Sequence, residues 1–445
     1  MPIEIGELLD PGPWTRFAKF VTLICALAVV FDGFDLSVVG FAIPAIVRDW
    51  HLPRGSFAPL LVIGLAGMTV GSTCAGVLGD RIGRRWALLG SVLLFGVAIA
   101  LSAFAPNLVV IEVLRFIAAA GIGGALPNAA TISAEFTPRK MRSVAVLLTI
   151  VCVPLGGALA GSVAAWVLPV AGWRALFLIG GIAPIVLSVA ILLLMPESPR
   201  YLARYPERAK ELIRLLGRLG HSVPAGAAFI EILAERPAQG AFWKDFFGAG
   251  QTRSTLSLWL SAFACYADVY MCFSWLPSLL SARGFNLSTA SEGLAAFNYG
   301  GVAGVLCFAA LVNRLGSRLL TLTATSLGLA TALLLIAIEI KTSASALPLL
   351  AALAAHGFCV NAVQTSLFAL GVHLYPTRQR ASGVATASAV GRLGGMVSAS
   401  IGSFIIQLGR APFFECLAVT MFFVFIGLSI LRNHIPAIAK AKQAG

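Results

Sequence analysis

Charged side chains are scarce in this chain. Asp, Glu, Lys and Arg make up 11% of its 445 residues, against about 25% in a soluble globular domain. With 58% hydrophobic residues and a mean hydropathy of +0.91, that shortage excludes a water-soluble globular protein and predicts a polytopic membrane protein. Motifs of catalysis are missing too. The loops hold no HExxH, no P-loop, no nucleophile–base grouping and no paired metal ligands, so neither an enzyme nor a bound cofactor or metal is expected. The eight cysteines (Cys25, Cys74, Cys152, Cys265, Cys272, Cys307, Cys359, Cys416) form no CxxC pair, and none sits with a histidine at zinc-site spacing. All fall in apolar runs and read as packing residues. Residues Met1 to Pro13 are acidic and lack a basic n-region, and the first apolar run is too long for the core of a signal peptide, so no cleavable leader is expected.

Twelve apolar spans are present, at about 17–47, 57–78, 86–105, 108–132, 143–168, 173–194, 254–282, 289–311, 319–340, 345–372, 381–407 and 412–431. The polar stretch between the sixth and seventh contains Pro206 to Arg214, an amphipathic pattern expected to lie along the membrane surface. The expected organisation is a six-helix bundle over residues 1–195, a cytoplasmic linker over 196–253 and a second six-helix bundle over 254–445. A net charge of +13 would suit nucleic acid if it were clustered, but it is distributed by side of the membrane. Of the 32 basic residues, 24 fall in the termini and the 2–3, 4–5, 6–7, 8–9 and 10–11 loops. The opposite side holds Arg48, Arg54, Arg174, Arg283, Lys341 and Arg410, and only Arg115 and Arg392 lie inside spans. This bias places both termini in the cytoplasm of a multi-pass protein of the cell (inner) membrane. The expected partners are the lipid bilayer and small solutes, not nucleic acid, and a monomer is expected.

Within the first span, the 28 residues from Phe20 to Val47 contain two charges, Asp32 and Asp35. A helix of that length measures about 42 Å, enough to cross a bilayer with some tilt. Three residues apart, the two carboxylates share a helix face. Ionisable groups at such depth are costly and mark function more often than structure. Burial disfavours their charged form, which suits a carrier that loads and releases a proton near neutral pH. Either aspartate, or the two as a coupled pair, could be that carrier. The alternative is a permanent salt bridge.

The chain also repeats itself. Pro138 to Arg142 and Pro376 to Arg380 share a Pro-x-x-x-Arg spacing, and Leu155-Gly156-Gly157 matches Leu393-Gly394-Gly395, both at an offset of 238. Asp80-Arg81-Ile82-Gly83-Arg84 is echoed by Asn313-Arg314-Leu315-Gly316-Ser317-Arg318. Two parallel six-span copies are the arrangement of secondary transporters with a substrate site near the membrane midplane.

Over nearly its whole length the chain resembles the major facilitator superfamily. The motifs that carry the resemblance are Gly76-Val77-Leu78-Gly79-Asp80-Arg81-Ile82-Gly83-Arg84-Arg85 in the 2–3 loop, Arg115-Phe116-Ile117 with Gly121-Ile122-Gly123-Gly124 in span four, and Pro196-Glu197-Ser198-Pro199-Arg200 after span six. A finer resemblance is to the aromatic acid:proton symporter group. It rests on Asp32-Gly33-Phe34-Asp35, Gly124-Ala125-Leu126-Pro127-Asn128, Ser274-Trp275-Leu276-Pro277, Tyr375-Pro376-Thr377 with Arg380, and Gly391-Arg392-Leu393-Gly394-Gly395. Asp268 in span seven and Asn313 in the 8–9 loop depart from that pattern. The resemblance implies an all-α membrane fold of twelve helices in two pseudo-symmetric bundles. It further implies proton-driven import of a small aromatic or related organic acid by alternating access. An exporter, or a symporter of another carboxylate or nicotinate-like compound, is the alternative.

Depth along the spans assigns roles. Asp35 and Arg115 are expected at similar depth, so that protonating Asp35 would release Arg115 to a substrate carboxylate. Glu112, three residues before Arg115, is the competing partner. In the second half, Arg392 and Asp268 fall at similar depth. Either they form an ion pair, or Arg392 receives the carboxylate through its two-pronged guanidinium. Tyr266, Asn298, Asn361 and Gln364 are the candidate contacts to substrate hydroxyls or ring, with Phe31, Phe34, Tyr270, Phe273, Trp275 and Tyr299 as further aromatic lining. His356 reads as a packing residue. Asp80, Arg81 and Arg84, with Glu135, Arg139 and Arg142, read as a cytoplasmic latch between conformational states. The glycines and prolines of spans four, five and eleven suit either moving or static close packing.

Overall fold

The computed structural model describes residues 3–221, 223–224, 229–230, 251–338, 346–375 and 380–437. Lys341, Pro376, Thr377 and much of the expected 196–253 linker lie outside the described residues. Among the described residues the regular structure is helical apart from two short strands, Ile3–Glu4 and Phe229–Ile230, which pair in parallel.

Span one is Arg16–Trp50, span two Ala58–Ile82, span three Arg84–Ser102 and span four Leu108–Glu135. Spans seven to twelve are Thr252–Ala282, Leu287–Leu315, Ser317–Ala337, Leu347–Leu374, Arg380–Leu408 and Arg410–Ile430. Between them runs Arg142–Leu194, 53 residues long. At 1.5 Å per residue that is about 80 Å, well over twice the hydrocarbon thickness. The backbone breaks it at Gly172, where φ is 72° and ψ −177°. A side chain is strained in that left-handed region, so glycine marks the corner. The two arms are spans five and six. Among the described residues, eleven apolar helices are long enough to cross a membrane, and with the joined helix counted as two arms they contain twelve spans. Large apolar side chains stand exposed along them, among them Trp166 at 77% and Val170 at 83%, as lipid-facing residues must in a multi-pass membrane protein.

The internal repeat is carried by backbone contacts. A Cβ built on Gly156 of span five would lie 1.9 Å from the Val30 carbonyl of span one, and one on Gly394 of span eleven 2.0 Å from the Phe263 carbonyl of span seven. Gly71 meets the Ala120 carbonyl of span four at 1.8 Å, and Gly304 meets that of Phe358 in span ten at 2.0 Å. Spans one and five therefore pack as seven and eleven do, and two and four as eight and ten do. Small residues let membrane helices approach this closely.

Packing divides the chain into two compact units that do not follow chain order. The first comprises Met1–Asp35, Ala66–Gly156 and Phe177–Ala234; the second comprises Leu36–Leu65, Gly157–Leu176 and Glu235–Gly445. In the first unit the amphipathic pattern of the 6–7 segment forms a helix, Ala209–Arg218, whose Leu212, Leu215 and Leu216 are buried by protein. Arg218 lies over the Phe17 ring at 5.5 Å. The apolar face expected to rest on the membrane is thus taken up by the protein's own surface.

Candidate functional site

In the first unit the site is built around one close helix contact. A Cβ on Gly33 would sit 2.0 Å from the Val153 carbonyl, so only glycine lets span five lie against span one between Asp32 and Asp35. Phe34 packs toward Gly180 of span six. Asp32 is 2% exposed and engaged by its surroundings. Asp35, 1% exposed, accepts a hydrogen bond at Oδ2 from Nη1 of Arg115 and forms a buried ion pair with it. Span four thus turns Arg115 toward Asp35 and not toward Glu112. The Oδ1 of Asp35 has no hydrogen-bond partner among the described residues.

The second unit holds the other candidates. Tyr266 is buried, and its ring lies 6.1 Å from that of Tyr270. Its hydroxyl hydrogen-bonds Ser388 and feels the charge of Arg392, both on span eleven. Gly391 and Gly395 lie under the two tyrosine rings, each with a Cβ position within 2.9 Å of ring carbon. Phe273 continues the aromatic row, edge-on to Tyr270 at 6.3 Å. Arg392, Tyr266 and Tyr270 therefore combine a guanidinium with aromatic faces, the chemistry that holds an aromatic carboxylate. Asn298 is fully buried and donates to the Leu294 carbonyl at 3.0 Å, and its Oδ1 has no hydrogen-bond partner among the described residues. Asn361 donates to the Gly357 carbonyl at 3.0 Å, and Gln364 is half-buried one turn away. Trp275 is fully buried and donates to the Ala399 carbonyl at 3.0 Å, so it belongs to the core and not to a pocket wall.

One expected pairing is corrected. Asp268 does not pair with Arg392. Its Oδ1 lies 3.2 Å from Nε2 of His356, and its Oδ2 accepts from the Thr420 hydroxyl at 2.7 Å. Equal depth along two helices fixes height but not the direction in which a side chain points, and His356 of span ten is the group facing Asp268. Cys272 stands beside this pair, its sulfur within 4.8 Å of both. Because His356 and Asp268 already share a hydrogen bond, the cluster is a paired acid and base rather than an open ligand set.

The loop network lies in the first unit. Asp80 at the end of span two pairs with Arg84, four residues on at the start of span three, at 2.6 Å, while Arg81 offers its carbonyl to the Tyr201 hydroxyl at 3.0 Å. Glu135 accepts from the Ser198 hydroxyl. Arg142 reaches Asp10 at 2.5 Å and the Ala134 carbonyl at 3.0 Å, not Glu135. Arg139 enters through its backbone N–H, which donates to the Asp10 carbonyl at 3.2 Å. Asp10, Glu197 and Tyr201 escape a reading of the sequence, since their partners lie far along the chain. Glu197 has the largest share of the work. Its Oε1 accepts from the N–H of Arg85 at 3.0 Å, a free amide at the start of span three, and from the N–H of Ser198 at 2.9 Å. Its Oε2 presses on Gly83, where φ is 107° and a Cβ would lie 2.2 Å away.

Burial pushes the Glu197 carboxyl above the ordinary glutamate range, against the pull of the N–H donors and Arg208. A carboxyl raised in the native state favours folding below its ordinary value of 4.5, and that contribution is lost as pH rises through the raised value. Glu197→Gln should therefore gain stability relative to the native protein as pH rises from about 4.5 toward 7. Thermal unfolding of the two proteins across that range checks it.

In the second unit, the later half of span one and the later part of span five pack on spans seven and eight. The Cβ of a residue at Gly40 would lie 2.0 Å from the Phe273 carbonyl, and at Gly161 2.6 Å from Ala295. Ser162 and Tyr299 share a hydrogen bond of 2.9 Å, and Arg48 donates to Ser281 at 3.3 Å. Asp49 accepts from Trp173 at 3.1 Å and from Arg174 at 3.0 Å. This contact is closed. Gly161→Leu should hold it open. An Asn298→Cys thiol, buried in the closed arrangement, should then react roughly ten times faster with a water-soluble maleimide. Mass spectrometry of the labelled peptide measures it.

Comparison with known proteins adds four findings. The model of the Major Facilitator Superfamily matches residues 25–338 and 258–445. A gallate transporter of Pseudomonas putida is 32% identical over 439 residues, covering 98% of this chain and 95% of its own. The 4-hydroxybenzoate transporter PcaK of Pseudomonas aeruginosa is 32% identical over 409 residues, covering 92% and 90%. Among solved structures, the xylose transporter XylE of E. coli in a partially occluded inward-open conformation superposes with a TM-score of 0.72 at 17% identity, over 94% of this chain and 99% of that one. The last is a likeness of fold alone.

Proposed function

The chain belongs to the Major Facilitator Superfamily, and from that premise we propose that it imports a small aromatic carboxylic acid together with protons. The observation that carries the reading is the buried Asp35–Arg115 ion pair, in a chain that aligns almost end to end with carriers named for gallate and 4-hydroxybenzoate. In this reading both termini are cytoplasmic and the closed contact of the second unit faces outward.

Asp35, with Asp32 beside it, takes a proton from the outside. Neutralising Asp35 removes the counter-charge of Arg115, which is then free to meet a carboxylate. Arg392 offers a second guanidinium, and Tyr266 and Tyr270 supply ring faces. Asn298, Asn361 and Gln364 are the polar groups for ring hydroxyls. Return of the proton to the cytoplasm restores the Asp35–Arg115 pair, which expels the acid. A proton and an anion thus cross together without a bare charge being left in the low dielectric. The Asp80–Arg84 and Glu197 network on the cytoplasmic side is the latch that alternating access makes and breaks.

Counterflow in proteoliposomes with labelled gallate, 4-hydroxybenzoate, benzoate, nicotinate and a non-aromatic dicarboxylate tests the substrate class. Exchange of the hydroxybenzoates is expected to be fastest, with accumulation that collapses on adding a protonophore. Exchange confined to the non-aromatic acid, or accumulation indifferent to the protonophore, contradicts the reading.

A further inference from the structure

The pair Asp268–His356 has no place in that mechanism, yet it stands where the repeat puts a counterpart of the Asp35 site. Val30 and Phe263 both lie with their carbonyls against the equivalent glycines Gly156 and Gly394, which sets the offset between spans one and seven at 233. That offset carries Asp35 onto Asp268. Gly40 and Phe273, equivalent by the same offset, touch each other within the second unit, as residues near a pseudo-two-fold axis do. Asp35 is paired to a cation from span four; Asp268 is paired to an imidazole from span ten, the counterpart of span four.

We propose that His356 and Asp268 form a second proton-binding site, inside the second unit, with the Thr331 hydroxyl as the partner that serves both protonation states. The donor and acceptor inventory around the ring carries this. Nε2 faces the Asp268 carboxylate at 3.2 Å. Nδ1 faces two groups, the Thr331 hydroxyl at 3.0 Å and the Gly328 carbonyl at 3.2 Å, and the Thr331 hydroxyl is itself 2.9 Å from the Gly328 carbonyl. With a neutral ring, Nε2–H donates to Asp268 and Thr331 donates to Nδ1. With a protonated ring, Nδ1–H donates to the Gly328 carbonyl or the Thr331 oxygen, and Thr331 turns its own proton to Gly328. No polar group of the cluster loses its partner in either state, because a hydroxyl both donates and accepts and rotates freely. The Thr420 hydroxyl holds the second oxygen of Asp268 at 2.7 Å throughout.

His356 and Asp268 are both fully buried, so a gain or loss of charge there is felt by every helix that touches them. Spans seven, nine, ten and twelve supply the hydrogen-bonding groups Asp268, Thr331, His356 and Thr420. The other titratable groups that feel the Asp268 charge are the thiols of Cys265 and Cys272 on span seven and Cys416 on span twelve. The Phe297 ring of span eight lies 6.2 Å from the imidazole. The site stands on its own geometry and does not depend on whether transport is proton-coupled.

The test is thermal unfolding of the purified full chain from pH 5 to 8.5, with 15N spectra of its labelled histidines over the same range. The difference in Tm between the native protein and His356→Gln is expected to change with pH, and the buried ring's 15N signals to titrate with the same midpoint. Thr331→Val removes the donor that the neutral ring needs while leaving the Gly328 carbonyl for the protonated one. It should move the midpoint up by about half a pH unit or more, and Thr331→Ser should restore it. A Tm difference that is the same at every pH, or a ring signal that does not titrate, overturns the proposal. So does a Thr331→Val midpoint equal to that of the native protein. Should His356→Gln fail to fold, the two Thr331 variants and the spectra decide it alone.

Discussion

Asp35→Asn should abolish uphill uptake of an aromatic acid while leaving exchange across the membrane in place. Asparagine keeps the shape of the side chain but neither takes up nor releases a proton. Arg115 then stays permanently without its counter-charge, in the condition that the proposed cycle reaches only when the proton is aboard. Exchange needs only that condition, whereas accumulation driven by a pH gradient needs both. The same substitution should cost stability, because breaking a buried ion pair from one side leaves the other charge uncompensated, at about 3–5 kcal/mol. The double variant Asp35→Asn with Arg115→Gln should recover most of that loss, since neither member is then charged, and remain uncoupled. Uphill uptake, exchange and thermal unfolding of the two variants separate the two effects. Concentrative uptake retained in Asp35→Asn would remove Asp35 from the mechanism.

The second large effect is expected at Arg392. If its guanidinium grips the carboxylate with two parallel hydrogen bonds, Arg392→Lys preserves the charge and loses the fork. Losing one partner of a buried charged hydrogen bond costs about 2 kcal/mol or more, roughly 30-fold in Kd. The loss should fall on KM for the acid, with a smaller change in maximal rate. Tyr266→Phe should weaken binding by less, because the ring face remains and only the hydroxyl shared with Ser388 goes. Equal KM values for the native protein and Arg392→Lys would show that the arginine holds helices together instead.

Much of this architecture can be read in the amino-acid order because a membrane imposes one dominant rule. Apolar runs long enough to cross give the twelve spans, and even the joined helix Arg142–Leu194 has its corner at a glycine, Gly172, where the hydropathy pattern alone places a break. The offset between Gly156 and Gly394 has its cause in two equivalent backbone contacts. The Asp35–Arg115 contact follows from counting residues into two spans and asking which charges share a level. Counting failed for Asp268, since level says nothing of direction around the helix. A histidine that looks like packing in sequence, His356, turned out to be the group it meets. Glu197 and Asp10 escaped for another reason. Their partners, Arg85 and Arg142, lie 112 and 132 residues away, and the Glu197 contact is to backbone amides, which no side-chain pattern reveals.

In the proposed cycle a proton enters with each turnover of the acid, by way of Asp35. The most direct measurement is the initial rate of lumen acidification in proteoliposomes holding a pH-sensitive dye, when an aromatic acid such as 4-hydroxybenzoate is added outside with no gradient imposed. Liposomes bearing Asp35→Asn supply the rate due to passive entry of the undissociated acid. The account predicts that the native protein acidifies the lumen well above that rate and saturates with the acid at the KM of uptake. Identical acidification by the two proteins, with uptake by the native one intact, would contradict it.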